Sequence, residues 1–372
     1  MVEWKRMWEV TTWDKKFSGV DKLMQPTVLK YHYYLANELA ELERPNGDIR
    51  ILYTTDKEAF VDSDDVEGNI SEGEVVTIPW GGNVNIQYYK GRFVTADNRI
   101  ATSNNVDYLC NKYLYYWMLS QKEEIGMFYR GAGIKHPSML SVLTMLVPIP
   151  SISEQQRIVD ILDTFTSSIE NLKEQIALRR KQYEYYRDQL LDLEEEEGVN
   201  MKMLGDICEN LDYMRKPITS SKRKVGIYPY YGASGIVDYV EGFIFDGEYL
   251  LVSEDGANLV TRTYPIAFSI KGKNWVNNHA HVLAFKNKIT QKFVEIYLNK
   301  IDLSPWINGA AQPKLNKANL NIIDILVPPL SEQQRIVSIL DTFDASIANL
   351  EAQLAQREKQ YEYYRNKLLT FE

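Results

Sequence analysis

Three clusters in this 372-residue chain carry side chains able to do chemistry. His279-Ala280-His281 puts two imidazoles on one face of a strand, the spacing of a chelating pair, but no cysteine or second histidine pair supplies the other ligands of a four-coordinate site. Two histidines so placed more often make hydrogen bonds. Asp246-Gly247-Glu248 and Glu254-Asp255 are paired acids of the kind a nuclease uses, yet acidic turns beside glycine are commonest as solvated loops. No GxxxxGK[ST] loop exists to cradle a nucleotide's phosphates. No Asn-Pro-Pro-Tyr motif, the mark of an adenine methyltransferase, is present, and Pro328-Pro329 stands before a long helix instead. The residues therefore assign no catalytic, cofactor-binding or metal site.

Other polar side chains gather in glycine-punctuated loops, where side chains are exposed and backbone can approach a ligand. In the second half these are Tyr230, Tyr231, Ser234, Asn277, Asn278, His279, Gln312 and Lys314, with the basic run Lys222-Arg223-Lys224. In the first half they are Asn83, Arg92, Asn98, Arg99, Lys135 and His136. Asn, Gln, Arg and small hydroxyl residues suit base edges, and Lys, Arg and backbone amides suit phosphates. For a nucleic-acid partner, these would be the candidate contacts. The net charge of −9 opposes a polyanionic partner until its distribution is considered. Residues 153–197 hold 12 acids and 6 bases, and residues 331–372 hold 7 and 5. Residues 198–330 hold 15 bases and 12 acids. Much of the acidity lies in two segments outside the loops.

Those two segments are copies. Residues 153–191 and 331–369 align at an offset of 178 with 28 of 39 positions identical, including SEQQRIV and KQYEYYR verbatim. Each has large side chains in 4-3 alternation. The first seam runs Ile158, Leu162, Phe165, Ile169, Leu172, Ile176, Arg179, Tyr183, Tyr186, Leu190, Leu193. The second runs Ile336, Leu340, Phe343, Ile347, Leu350, Leu354, Arg357, Tyr361, Tyr364, Leu368, Phe371. A 3.5-residue period without Gly or Pro predicts two helices in a left-handed coiled coil, each about 60 Å long at 1.5 Å per residue. Ser153 and Ser331, after Pro-rich sequence, are candidate caps. Arg179 and Arg357 either fix register or extend their heads to solvent.

The intervening segments are rich in Gly, Tyr and β-branched runs. Strands are expected at 49–54, 74–79, 92–96, 249–253, 260–263 and 281–285, and helices at 107–121 and 291–301. Gly131-Ala132 and Gly309-Ala310 also lie 178 apart, so the repeat begins upstream of the helices. The domain reading is 1–150 and 198–330 as globular recognition domains, with 151–197 and 331–372 as helical spacers. The fold class is α+β, with the helices pairing antiparallel and the halves related by a pseudo-two-fold. Two cysteines cannot form a disulfide framework, no apolar run reaches the ~18 residues of a membrane span, and the N-terminus lacks a signal-like stretch. A cytoplasmic protein is expected.

Unlike heads on a doubled-back stalk would read two different half-sites at a fixed gap. The chain resembles the specificity subunits of type I restriction–modification systems. The strings carrying this are LVPIPSISEQQRIVDILD (146–163), ILVPPLSEQQRIVSILD (325–341), GAAQPKLNKANL (309–320), PYYGASGIVDYV (229–240), FDGEYLLVSEDGA (245–257) and WVNNHAHVL (275–283). The first half departs from the pattern, with GAGIKHP at 131–137. The resemblance implies a non-catalytic subunit that binds double-stranded DNA at a bipartite, asymmetric site. It implies two methyltransferase subunits and motor-nuclease subunits as partners, and S-adenosylmethionine, ATP and Mg on those partners rather than on this chain. The alternative is a coiled-coil adaptor that binds only proteins.

Overall fold

A computed structural model of the chain describes residues 2–194, 196–309 and 312–371. It divides into two compact units, Met1–Lys173 with Gln353–Glu372, and Glu174–Ala352. The division falls inside the long helices rather than at their ends.

Unit 1 is built on a six-stranded sheet of β2 (Thr11–Trp13), β3 (Ile49–Leu52), β4 (Glu58–Val61), β5 (Ser71–Pro79), β6 (Gln87–Thr95) and β7 (Asn98–Ser103). The spatial order is β2-β7-β5-β6-β3-β4, antiparallel except for β3 beside β6. A separate pair joins β1 (Glu3–Arg6) to β10 (Leu146–Ile149), and β8 (Tyr129–Arg130) pairs with β9 (His136–Pro137). Alternation sets the faces: Val76, Ile78 and Ala101 point at the helix Asn111–Ser120, which buries Tyr113, Leu114, Tyr116, Trp117 and Met118 against them. Ile158 and Leu162 of the first long helix and Leu369 of the second enter the same core. Each such large side chain contributes ~1.5–3 kcal/mol by leaving water.

Unit 2 repeats this plan. Its sheet contains β12 (Glu209–Asn210), β13 (Val225–Gly232), β14 (Gly235–Val240), β15 (Phe245–Ser253), β16 (Ala267–Val276) and β17 (Ala280–Ala284). Its order, β12-β17-β15-β16-β13-β14, matches unit 1 strand for strand, with β13 and β16 parallel. β11 (Asn200–Met203) pairs with β18 (Asp324–Val327) as β1 does with β10. Leu250, Val252 and Leu283 face Phe293, Val294, Tyr297 and Leu298 of the helix Lys288–Lys300. Leu191, Leu193, Ile336 and Leu340 complete that core.

The long helices span Ile152–Leu190 and Leu330–Leu369. Both start before the expected caps, so Ser153 and Ser331 lie in first turns; the Ser151 hydroxyl instead accepts from the Glu154 N–H at 3.3 Å. In unit 1, Phe165 stacks on Tyr364 (5.3 Å) while Lys173 faces Glu358 (3.6 Å). In unit 2, Tyr186 stacks on Phe343 (5.3 Å) while Arg180 meets Glu351 (2.6 Å). In each unit the numbering of the two helical segments runs in opposite directions, which is antiparallel pairing. Arg357 lies over the Phe165 ring at 5.6 Å and Arg179 over Phe343 at 5.8 Å. The seam arginines are thus stacked on the facing helix's aromatic ring. Ile158, Leu162, Ile169, Leu172, Ile176, Ile336 and Leu340 are buried. Phe165, Tyr183, Phe343, Ile347, Leu350, Leu354 and Tyr361 are half-buried, and Tyr186 and Tyr364 are 46% and 40% exposed.

One expected strand is absent. The β-branched run at 260–263 contributes instead to a helical turn, Asn258–Thr261, followed by Arg262 at φ 52°. The Arg262 guanidinium donates to the Leu298 (3.3 Å) and Ile301 (2.8 Å) carbonyls, capping the neighbouring helix's end. That tertiary demand overrides local β propensity.

Candidate nucleic-acid interface

Four chain segments converge at one edge of unit 2. The β13–β14 turn is tied to the end of β15 by the Ser253 hydroxyl, which donates to the Ala233 carbonyl at 2.5 Å. The Asn277 N–H donates to the Tyr231 carbonyl at 3.0 Å, and the Asn277 side chain accepts from the His279 N–H at 2.8 Å. Glu254 N–H donates to the His279 carbonyl (2.9 Å), Leu315 N–H to the Glu254 carbonyl (2.8 Å), and Gly256 N–H to the Pro313 carbonyl (3.1 Å). These bonds bring Tyr231, Ser234, Asn277, Asn278, His279, Gln312 and Lys314 to one rim. Asn308 and Lys314 exchange two backbone bonds of 2.8 Å, closing the turn that exposes Gln312. Ala310 and Ala311 of the Gly-Ala loop lie outside the described residues.

Beneath the rim His281, Glu254 and Lys314, noted separately in the sequence, join Asp212 and Arg215 in one charged knot. His281, fully buried, puts Nδ1 at 2.6 Å from Asp212 Oδ2 and Nε2 at 2.7 Å from the Leu315 carbonyl. Arg215 donates to Glu254 at 2.6 Å and pairs with Asp212 at 3.2 Å, and Lys314 reaches Glu254 at 3.1 Å. Burial alone would raise the Asp212 carboxyl, but its bond to His281, that ring's charge and the Val282 N–H outweigh it, and the pKa lies below the ordinary value. Glu254 is likewise lowered: burial opposes, while the Arg215 bond, the His281 charge and the Lys314 bond prevail. Asp212, Glu254 and His281 bring ligand-type atoms within 4.8 Å of one another, but Arg215 and Lys314 already balance the two carboxylates. No surplus negative charge remains to draw a cation.

Unit 1 has the same frame with different groups. Asp14 accepts from the Ile100 N–H at 2.9 Å as Asp212 does from Val282 at 3.0 Å. Arg99, fully buried, donates to Asp14 at 2.8 Å where unit 2 uses His281, and also pairs with Asp97. Trp80 N–H donates to the Asp97 carbonyl at 2.9 Å, and Gly82 N–H to the Lys135 carbonyl at 2.9 Å. His136 stacks near Trp80 (5.2 Å) with Nδ1 at 2.7 Å from its carbonyl. Asn83, Lys135 and His136 are exposed at this rim.

Several candidate contacts are placed elsewhere. Asn98 and Arg99 are buried: the Asn98 amide donates to the Leu52 carbonyl at 2.9 Å, and Arg99 is consumed by Asp14 and Asp97. Tyr230 is 1% exposed, its hydroxyl accepting from the Ile218 N–H at 2.9 Å, and Asn277 is 6% exposed. As folded, these four orient loops rather than offer side chains to solvent; polarity in a loop-like string cannot distinguish the two roles. Arg223 lies over the Tyr230 ring (4.4 Å) and pairs with Asp238, whereas Lys222 and Lys224 are exposed. Arg92 is exposed on β6 and pairs with Asp48 at 3.6 Å. Sequence reasoning missed Asp14, Asp212 and Arg215, and noted Glu254 only as one of a pair of acids. It also missed the role of the first glutamine in SEQQRIV. Gln155, fully buried, donates to the Tyr108 and Pro150 carbonyls and accepts from the Cys110 N–H, and Gln333 donates to the Pro328 carbonyl and accepts from the Thr290 hydroxyl. Verbatim repetition of that glutamine was the available signal.

The folding plan, paired sheet units each served by both long helices, is that of type I specificity subunits. The S subunit of a type I restriction–modification system from M. genitalium superposes with a TM-score of 0.70, covering 100% of this chain and 97% of that one at 17% identity. The family model for the type I restriction modification DNA specificity domain matches twice, at residues 33–179 and 196–358. This chain belongs to that family. The EcoR124I/EcoR124II specificity subunit of Escherichia coli is 30% identical over 295 residues, 70% of either chain. A relative from Haemophilus influenzae, described as a putative type I restriction enzyme specificity subunit, is 41% identical over 182 residues, 47% of either chain. The match thus spans about half the length of that relative. The matched family is a DNA specificity domain, not a catalytic one. Among the described residues no helix is long and apolar enough to cross a membrane.

Proposed function

We propose that this chain is the DNA-reading subunit of a cytoplasmic type I restriction–modification complex. Each unit reads one half of a bipartite site, and the paired helices set the gap. The observation carrying this is one frame with two unlike rims: Asn83, Lys135 and His136 in unit 1, and Tyr231, Ser234, Asn278, His279, Gln312 and Lys314 in unit 2. A common frame presents loops to the same kind of ligand, and unlike side chains on it read unlike sequences. The half-sites therefore differ. Chemistry belongs to partners: methyltransferase subunits carrying S-adenosylmethionine, and motor-nuclease subunits using ATP and Mg, dock on this chain. The repeated helices offer matching surfaces, with Tyr185 and Tyr363 exposed by 61% and 57%.

Co-expression with the cognate adenine methyltransferase subunit in a methylation-free host, followed by methylome sequencing, tests this. The expected result is copurification and one new split motif with unlike halves and a constant gap. A purified complex that leaves no new methylated motif would favour the protein-only adaptor instead.

A further inference from the structure

The two units differ most in one ribbon. In unit 1 the β3–β4 ribbon is roofed: Ile49, Ile51 and Val61 are fully buried, with Leu39 of the helix Ala36–Leu42 packed on them. Its edge is also held, because the Arg44 N–H donates to the Phe60 carbonyl at 2.9 Å. The topologically equivalent ribbon of unit 2, β13–β14, has no helix over it; residues 218–223 cover Tyr230, and much of the remaining apolar surface is bare. Only two short 3-10 turns, Asp212–Met214 and Ser220–Lys222, precede it. Val225 is 91% exposed, Ile227 79%, Val237 55%, Tyr239 51% and Ile236 47%. A bare apolar edge invites aggregation, and exposed apolar side chains gathered on one ribbon mark a contact site.

Charge identifies the occupant. Of the five bases in residues 213–245, Arg215 and Arg223 are paired with Asp212, Glu254 and Asp238, which leaves Lys216, Lys222 and Lys224 exposed along this ribbon. Lys222 has no ion-pair partner among the described residues, and Lys224 meets only Glu241, at 3.5 Å, with both side chains largely exposed. A basic margin around apolar side chains fits a polyanion that also presents apolar groups. Duplex DNA is such a partner: its major groove admits a two-stranded ribbon, and thymine methyls line it. The ribbon's turn is also continuous with the rim, through the Ser253–Ala233 and Asn277–Tyr231 bonds.

We propose that the β13–β14 ribbon is a base-reading element confined to unit 2. Ile227, Ile236, Val237 and Tyr239 meet base edges in a groove, and Lys222 and Lys224 hold flanking phosphates. Unit 1, whose ribbon is roofed, reads with its loops alone. This inference rests on the DNA-reading function above and assigns specificity within it.

The test uses the full chain with its methyltransferase subunit. The double variant Ile227→Ser, Val237→Ser and the single variant Tyr239→Ser alter exposed side chains and spare the core. Methylome sequencing of each is expected to show relaxed selectivity in one half-site only, with off-motif methylation there rising roughly ten-fold or more and the other half-site and the gap unchanged. An unaltered motif with undiminished selectivity in both variants would overturn the ribbon assignment while leaving the subunit's function intact. Variants that no longer copurify with the methyltransferase subunit would assign the ribbon to a protein partner. A wild-type complex that writes no motif would overturn the parent function and this assignment together.

Discussion

Asp14 and Asp212 hold the same place in two equivalent sheets and are paired with different side chains, Arg99 in one and His281 in the other. Each aspartate also accepts the backbone N–H of the next residue, Ile100 or Val282, so the pair ties the chain after the first sheet strand to the strand beside it. Removing one partner of a buried pair leaves a desolvated charge, which costs about 3 kcal/mol or more. Asp212→Ala is expected to lower the thermal stability of the chain by that order, whereas Lys222→Ala, at an exposed lysine, should leave the melting curve unmoved. Asp212 and Glu254 have pKa values depressed from ordinary values of 3.8 and 4.5. Depressed carboxylates add stability above those values, and it is lost as pH falls through the lower folded ones. Melting temperatures of Asp212→Asn should therefore depend less steeply on pH below 3.8 than those of the unaltered chain. A parallel fall in both would show that the knot does not govern acid unfolding.

At the scale of elements, each long helix is locked to a globular sheet unit by a buried glutamine. Gln155 closes three backbone groups of unit 1 and Gln333 joins the Pro328 carbonyl to the Thr290 hydroxyl in unit 2. Cutting either side chain to alanine strands buried donors and acceptors, at roughly 1–3 kcal/mol for each unsatisfied group. Gln155→Ala is expected to lower the midpoint of urea unfolding more than Gln156→Ala, since among the described residues Gln156 bonds only within its own helix, at Asp160. Equal midpoints would mean that the lock contributes nothing. The helical seam behaves as its period requires, with one exception of degree. Tyr186 and Tyr364 stay partly exposed, each covering a phenylalanine of the facing helix rather than entering a closed core.

At the scale of the whole molecule, chain order and compact units do not coincide: the last 20 residues, Gln353–Glu372, belong with the first unit. Leu369 there is 5% exposed in the core that also holds Met7 and Trp13. If the helices set the gap between half-sites, deleting one heptad from each shortens both by ~10 Å at 1.5 Å per residue, or about three base pairs of duplex at 3.4 Å each. The methylated motif of such a variant should keep both half-sites and lose about three base pairs of spacer. A gap that stays constant would sink the spacer role, whatever becomes of the reading units.

Sequence alone determined the duplication, the helical seam and the alternation of sheet and helix, because each is a periodic property carried by side-chain type at fixed spacing. It located the rim only in outline. Asn98, Arg99, Tyr230 and Asn277 are grouped in the sequence with Asn83, Asn278 and Gln312 as polar candidates, yet the first four are buried and the others exposed. Which of them faces solvent depends on partners far away in the chain: Asp14 lies 85 residues from Arg99, and Asp212 lies 69 from His281. The same holds for the bare ribbon, whose β-branched run resembles its roofed counterpart's until the helix over one and the gap over the other come into view. Buried charge is satisfied only by a specific neighbour in space, so only the tertiary structure could separate the residues that hold the rim from those that form it.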